Sequence, residues 1–189
     1  ADSAPATATS SPFATESTAV ASIASTTTSS TSTTTTIASL VDPASFGQPY
    51  GTTVNGLLTF RGNPTRSWYG TGPIPRTQPQ VLWQYPGSKM CGESSEYGEV
   101  RNWCGTGWTG QPAVFERDGR TWVVFGAYDY KIHFLDAATG QDIIPPFATG
   151  DLAKGNVTVD PDGYPLVYAG SRDNFLRIIA FDGPEPREL

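Results

Sequence analysis

The only histidine of the chain, His133, lies between Ile132 and Phe134 in a segment with strand character. A histidine acts as a general base when a nucleophile or a carboxylate lies within hydrogen-bond distance. Alternation along a strand places His133 on the face opposite its two apolar neighbours, and the sequence shows no evident partner there. We therefore expect a structural histidine, either on the strand surface or as a hydrogen-bond donor between neighbouring sheets.

Carboxylates cluster in two short segments. Asp160 and Asp162 lie in "VDPDG" (159–163), which has part of the pattern of a calcium loop. A full calcium site needs six or more oxygen ligands, so turn formation is the simpler interpretation. Glu93, Glu96 and Glu99 are typical of a solvated acidic loop, with a pair of glycosidase carboxylates as a remote alternative. The sequence thus assigns no catalytic residue and no metal ligand.

Cys91 and Cys104 are 13 positions apart in "KMCGESSEYGEVRNWCGTGW", a polar, glycine-rich stretch that predicts a loop. In an exported protein an isolated pair of this kind is most simply a disulfide. Two cysteines and one distant histidine do not make a zinc site, which usually has four nitrogen or sulfur ligands. A reactive thiol is the alternative, although Arg101 is the only basic residue near either cysteine.

Three aromatic residues, Tyr97, Trp103 and Trp108, lie within or beside the same stretch. Exposed aromatic rings on a fixed loop can stack on sugars or anchor a partner protein, so these residues form the candidate ligand or partner loop. The alternative, which we favour, is that the rings pack locally and cap one end of the fold.

The first forty residues differ from the rest of the chain. They contain 22 Ser or Thr and no Lys, Arg or Gly, a composition that predicts a disordered, low-complexity tether over residues 1–40. Residues 41–189 are then expected to fold. The net charge of −6 and the lack of a basic cluster argue against nucleic acid as a partner. No stretch reaches the roughly 18 apolar residues of a membrane span.

Strand signals dominate the folding part, and an all-β structure is expected. Segments rich in Val, Ile, Phe, Tyr and Trp alternate with Gly, Asp, Asn or Pro. The short segment "FATGDLAKG" could hold one helical turn. The predicted strands are "QVLWQY" (80–85), "PAVFE" (112–116), "RTWVVFGA" (120–127), "KIHFLD" (131–136), "NVTVD" (156–160), "YPLVYAG" (164–170) and "FLRIIAFD" (175–182).

Two segments, about 112–140 and 156–183, repeat one another. The Asp-Gly pair at 118–119 matches 162–163 at an offset of 44, and the offset rises to 46 where Leu135-Asp136 is matched with Phe181-Asp182. A period of this size with β content predicts four-stranded propeller blades. About two to three blades fit in the chain, so the remaining blades are either missing or supplied by another chain.

The segments "FRGNPTRSWYGTGP", "VLWQYPG", "FGAYDYKIHFLDAATG" and "AGSRDNFLRIIAFD" resemble the PQQ-like (quinoprotein-type) β-propeller repeat proteins of bacterial envelopes. That family includes relatives of the outer-membrane assembly lipoprotein BamB. The resemblance covers about residues 55–182 and implies the N-terminal part of a propeller. The family usually has a Trp soon after "LDAATG", where this chain has "GQDIIPPF".

Enzymes of the wider superfamily, the quinone-dependent dehydrogenases, carry a catalytic Asp, calcium ligands and commonly a vicinal cysteine pair. The two cysteines here are not vicinal, and no Asp or Asn constellation matches. The resemblance therefore implies the fold more than a cofactor. Neither PQQ nor calcium is expected unless a full-length protein is an enzyme.

The function predicted first is a non-catalytic, exported β-propeller repeat protein that acts as a binding or scaffold module at the cell envelope. Its partner would be a protein or an envelope polymer, with carbohydrate left open. The alternatives are a fragment of a quinone-dependent dehydrogenase and a carbohydrate-binding module. Because the chain begins with Ala, a removed targeting segment is expected, and attachment of a lipid there is left open.

Overall fold

The computed structural model describes residues 41–107 and 109–189, so the predicted tether (1–40) and Trp108 lie outside the described residues. The described part is all-β and holds eleven strands. These are β1 (Gly56–Leu57), β2 (Cys91–Glu96), β3 (Glu99–Cys104), β4 (Ala113–Arg117), β5 (Arg120–Ala127), β6 (Lys131–Asp136), β7 (Phe147–Ala148), β8 (Thr158–Val159), β9 (Leu166–Gly170), β10 (Leu176–Ala180) and β11 (Arg187–Glu188).

All pairings among these strands are antiparallel. The first sheet has the order β1-β4-β5-β6-β7, the second sheet has the order β11-β10-β9-β8, and β2 and β3 form a separate hairpin. Two single 3₁₀ turns, Pro43–Ser45 and Phe60–Gly62, supply the helical content of the described residues. Within those residues no helix has the length and apolar character needed to cross a membrane.

The central strand predictions are confirmed, since β5, β6, β9 and β10 lie within the predicted segments and β4 extends only one residue beyond its segment. Two other predictions are wrong. Residues 80–85 do not pair as a strand, and "FATGDLAKG" forms no helical turn but begins with β7. Within this segment Trp83 and Tyr85 pack against the first sheet, whereas Val81 and Leu82 are exposed.

Tight turns between the strands have the backbone that their sequences require. Asp118 and Gly119 between β4 and β5 both have positive φ, 52° and 75°, the geometry of a two-residue hairpin turn. Positive φ recurs in the next turn of each sheet, at Tyr130 (62°) and at Asn174 (69°). These two residues are also 44 positions apart.

The strand registers show that the two sheets are equivalent. In the first sheet Val124 pairs with Phe134, and in the second sheet Tyr168 pairs with Ile178. Both partners are shifted by 44 positions, and this shift holds for every pair of β5–β6 that has a counterpart in β9–β10. The predicted offset of 46 at Asp136 is therefore wrong for the strands. The pair Trp122–Asp136 corresponds to the pair Leu166–Ala180, which keeps the offset at 44.

The core lies between the two sheets. One face of the first sheet and one face of the second contribute to a single buried cluster, with Phe181 contacting three aromatic rings of the first sheet. Its ring centroid is 5.4 Å from Trp122, 5.9 Å from Phe134 and 6.1 Å from Phe115. Full burial of one such ring stabilises by about 1.5–3 kcal/mol, so this cluster is the main link between the sheets.

Candidate functional site

The other face of the first sheet carries His133, which is buried and not on the strand surface. On β5 its cross-strand partner is Phe125, whose ring stacks on the imidazole with centroids 5.2 Å apart. Residues 83–85, here called the strap, cross this face. The Tyr85 ring of the strap packs edge-on against both side chains, with centroids 5.4 Å from His133 and 6.3 Å from Phe125.

Both imidazole nitrogens have hydrogen-bond partners. Nε2 is 3.1 Å from Oδ1 of Asp129, which lies in the turn between β5 and β6. Nδ1 is 2.9 Å from the hydroxyl of Tyr85, and that hydroxyl donates to Oδ1 of Asp142 at 3.0 Å. Burial, followed by the hydrogen bond to Asp142, raises the pKa of Tyr85, so its hydroxyl keeps its proton.

The single Tyr85 proton is donated to Asp142, and the imidazole lies between the Tyr85 hydroxyl and the Asp129 carboxylate. His133 therefore links the strap to the turn between β5 and β6 through its two ring nitrogens.

The geometry of this network favours a structural role over a catalytic one. A general base needs a ring nitrogen that is free to take a proton from a substrate, and both nitrogens of His133 already have hydrogen-bond partners within the protein. A raised pKa makes the Tyr85 phenol a poor nucleophile at neutral pH. The adjoining cleft, of about 380 Å³, is lined by these groups together with the lysines Lys89 and Lys131. Among the described residues no group of three or more His, Cys, Asp or Glu side chains could hold a metal ion.

A second pair, Asp173 and Arg177, occupies the same positions in the second sheet, 44 residues further along the chain. Arg177 Nη2 is 2.6 Å from Asp173 Oδ2, and both side chains are about nine-tenths buried. Asp173 also accepts hydrogen bonds from the amides of Gly150 and Phe175 at 2.8 and 3.1 Å. The hydrogen bond from Arg177 holds the pKa of Asp173 well below its usual range. An aspartate in the turn thus bonds a basic side chain on the next strand in both sheets.

The predicted disulfide between Cys91 and Cys104 is confirmed. The prediction of a loop is wrong, because the cysteines face each other at the open end of the β2–β3 hairpin. Tyr97 and Gly98 form its turn with φ of 52° and 83°. A turn of two positive-φ residues keeps the strands in register, which explains how so polar a segment pairs. Ser94 attaches the hairpin by donating to Asp151 at 3.0 Å.

The aromatic residues of the predicted ligand loop do not lie together. Tyr97 is at the tip of the hairpin and fully exposed, whereas Trp103 is beside the disulfide at the other end. The Trp103 ring packs edge-on against Tyr128 at 6.2 Å and has the Lys154 ammonium 4.8 Å above its centroid. The third member, Trp108, is outside the described residues. The structure therefore places one exposed ring, rather than a platform of rings, on the hairpin.

The carboxylates of "VDPDG" have a turn-forming arrangement. Asp160 is buried, and its Oδ1 accepts from the amide of Asp162 at 3.0 Å while its Oδ2 accepts from the Tyr168 hydroxyl at 2.8 Å. Both oxygens are thus engaged within the protein. This geometry agrees with the interpretation as a turn.

The sequence reasoning missed the two hydrogen-bond partners of His133, Asp129 and Tyr85, and the acceptor of the Tyr85 hydroxyl, Asp142. Asp129 had a detectable signal, because the repeat aligns Asp129 and His133 with Asp173 and Arg177, an opposite-charge pair four residues apart. Tyr85 and Asp142 had none, since a contact between residues 57 positions apart cannot be inferred from a single sequence.

No protein-family model, no curated protein and no solved structure matches the chain.

Proposed function

We propose that the two sheets are consecutive blades of a PQQ-like propeller-type repeat array, and that the protein is an exported, non-catalytic binding or scaffold module of the cell envelope. The observation that carries this proposal is the equivalence of Asp129–His133 and Asp173–Arg177. Arginine cannot serve as a general base at neutral pH. A position filled by histidine in one blade and by arginine in the next therefore has a structural role that the two residues share, which is to hydrogen-bond the turn aspartate.

The arrangement of the sheets supports the repeat array. Strands β4–β7 of the first sheet and β8–β11 of the second each form a four-stranded antiparallel meander, to which the first sheet adds β1, and the two sheets pack face to face through one apolar cluster. Repeat proteins bury the face of each unit on its neighbour in this way, and they use exposed loops and hairpins to bind partners.

Export is supported by the disulfide, because such bonds persist in oxidising compartments and are rare in the cytosol. The disulfide also fixes the hairpin, whose tip presents Tyr97 to solvent. Tyrosine is enriched among residues that dominate binding energies, so the hairpin tip is the proposed contact with a protein or envelope polymer.

Binding is tested with purified protein and isolated bacterial envelopes, using Tyr97→Asn, which tolerates the positive φ at that position. We expect the retained fraction to fall about tenfold, the loss of one modest interface anchor. The matched control is Tyr164→Asn, because Tyr164 is also exposed (64%) but lies in the second sheet's β8–β9 connection. Equal retention of all three proteins would refute the hairpin as the contact.

The competing function is that of a quinone-dependent dehydrogenase. Titrating the protein with pyrroloquinoline quinone and calcium should leave its absorbance and its melting temperature unchanged if the module is non-catalytic. A saturable shift in either quantity would overturn the proposal.

A further inference from the structure

The face of the second sheet that points away from the first sheet is apolar and open. Leu176 is 77% exposed and Ile178 is 41% exposed, while the half-buried Leu166 and Tyr168 lie beside them by strand alternation. Here these four residues are called the outer face. An exposed group of large apolar side chains on a regular sheet commonly marks an interaction surface.

The repeat shows what this face is built to contact. At an offset of 44, its four residues correspond to the side chains that the first sheet buries against the second, and each of these is at most 4% exposed. The corresponding residues are Trp122, Val124, Ile132 and Phe134. The same positions are therefore buried by a neighbouring sheet in one blade and left uncovered in the next.

A glycine beside these residues makes the correspondence more specific. In the first sheet Gly126 leaves room for Ala153 of the following connection, and a Cβ built on Gly126 would lie 2.7 Å from the Ala153 methyl. The equivalent Gly170 pairs with Leu176 on the outer face, and a Cβ built there meets nothing closer than 4.0 Å. The space beside Gly126 that Ala153 fills is thus matched by a space beside Gly170, here called the notch, which no side chain of the described residues fills.

We propose that the outer face binds a third four-stranded antiparallel sheet of the same repeat, which would place a small side chain in the notch at Gly170. The contacting face of this partner carries compact apolar residues, like Val167, Ala169 and Ile179 in the second sheet. The proposal rests on the proposed function in one respect, since both treat the sheets as successive blades.

Among the described residues, the first sheet of a second copy of this chain offers no open face of this kind. The equivalent face of its first sheet holds Phe125 and His133, and the strap covers them. The continuation of the existing interface between the sheets thus favours a further repeat over self-association.

The test appends a copy of residues 149–189 after Leu189 of the full chain. The connection that precedes the appended β8 then has nearly the length of the natural connection between β7 and β8. Ile178→Asp is introduced into the original chain and into the extended chain, and the melting temperatures are measured. We expect the substitution to lower the melting temperature at least about threefold more in the extended chain, because the charge would be buried there.

The matched control is the same isoleucine-to-aspartate change in the appended copy, whose own outer face has no sheet beyond it. An equal effect of Ile178→Asp in the two chains would overturn the proposal. So would hydrogen exchange that finds the appended residues unprotected while residues 41–189 remain protected. Sedimentation of the original chain gives a third outcome. If the chain forms a dimer and Ile178→Asp abolishes it, the outer face binds a second copy, and the proposal of a third sheet is refuted.

These failures are distinguishable from failure of the proposed function. Quinone binding with calcium would refute the non-catalytic module and leave the measurement at Ile178 unaffected. An equal effect of Ile178→Asp would leave the non-catalytic module in place and refute this docking surface alone.

Discussion

Replacing His133 by alanine should destabilise the protein strongly, because the imidazole joins three separate parts of the structure. The substitution removes a hydrogen bond to the Asp129 carboxylate, worth about 1.5–3 kcal/mol, and one to the Tyr85 hydroxyl, worth about 1 kcal/mol. It also removes the stacked contact with Phe125, worth about 0.5–1.5 kcal/mol. Allowing for relaxation, we expect the free energy of unfolding to fall by about 3 kcal/mol.

The measurement is urea denaturation followed by tryptophan fluorescence, with melting temperature as a second readout. For a chain of this size, about 3 kcal/mol corresponds to a fall of roughly 6–12 °C. Lys131→Ala is the matched control on the same strand, because its side chain is 45% exposed and its ammonium lies 3.9 Å from Asp129 Oδ2. An exposed pair of this kind contributes at most about 1 kcal/mol.

The informative variant is His133→Arg. If the first sheet uses this position as the second sheet uses Arg177, the arginine should pair with Asp129 and recover most of the stability lost in His133→Ala. Recovery to within about 1 kcal/mol of the natural protein is expected for an equivalent buried partner. An arginine variant as unstable as the alanine variant would refute the equivalence of the two positions, and a stable alanine variant would refute the network itself.

Two further predictions concern a turn and an ion pair. Gly140→Ala should cost about 2 kcal/mol or more, since the added Cβ would lie 2.4 Å from the Trp83 ring at a φ of +68°. Gly119→Ala, at a φ of +75° with nothing within 4 Å, should cost only about 1 kcal/mol in thermal denaturation; equal costs would refute the contact. Asp173→Asn should cost about 3 kcal/mol at pH 7 by breaking the buried pair with Arg177. Because the pKa of Asp173 is lowered, its contribution is present above the ordinary Asp value of about 3.9 and is lost as the pH falls below it. Denaturation from pH 7 to pH 2 should therefore show a shallower acid loss in the variant, and identical slopes would contradict the assignment.

The strands and turns of the two sheets could be predicted because their signals are local. Val, Ile and aromatic residues favour strands, and Asp-Gly at 118–119 supplies the positive φ angles of a hairpin turn. The disulfide was predictable for a similar reason, since the chain contains only two cysteines. Each of these inferences depends on neighbouring residues or on a simple count.

The hairpin and the strap could not be predicted, because contacts distant in sequence decide both. The residues of β2 and β3 have low strand propensity, and they pair because the turn and the disulfide fix their register. The strap has high strand propensity but packs its rings on a sheet face and pairs with no strand. Trp83 illustrates this, since its indole donates to the carbonyl of Ala137, 54 positions away.

The strap also bears on solubility. Face-to-face packing of sheets is a heterologous contact, and an unclosed contact of this type generates filaments when one molecule offers both complementary faces. By covering Phe125 and His133, the strap closes this face of the first sheet, while Leu176 and Ile178 on the second sheet stay exposed. Displacing Tyr85 would uncover a second, complementary face, so we expect self-association to rise in a variant that loses this ring.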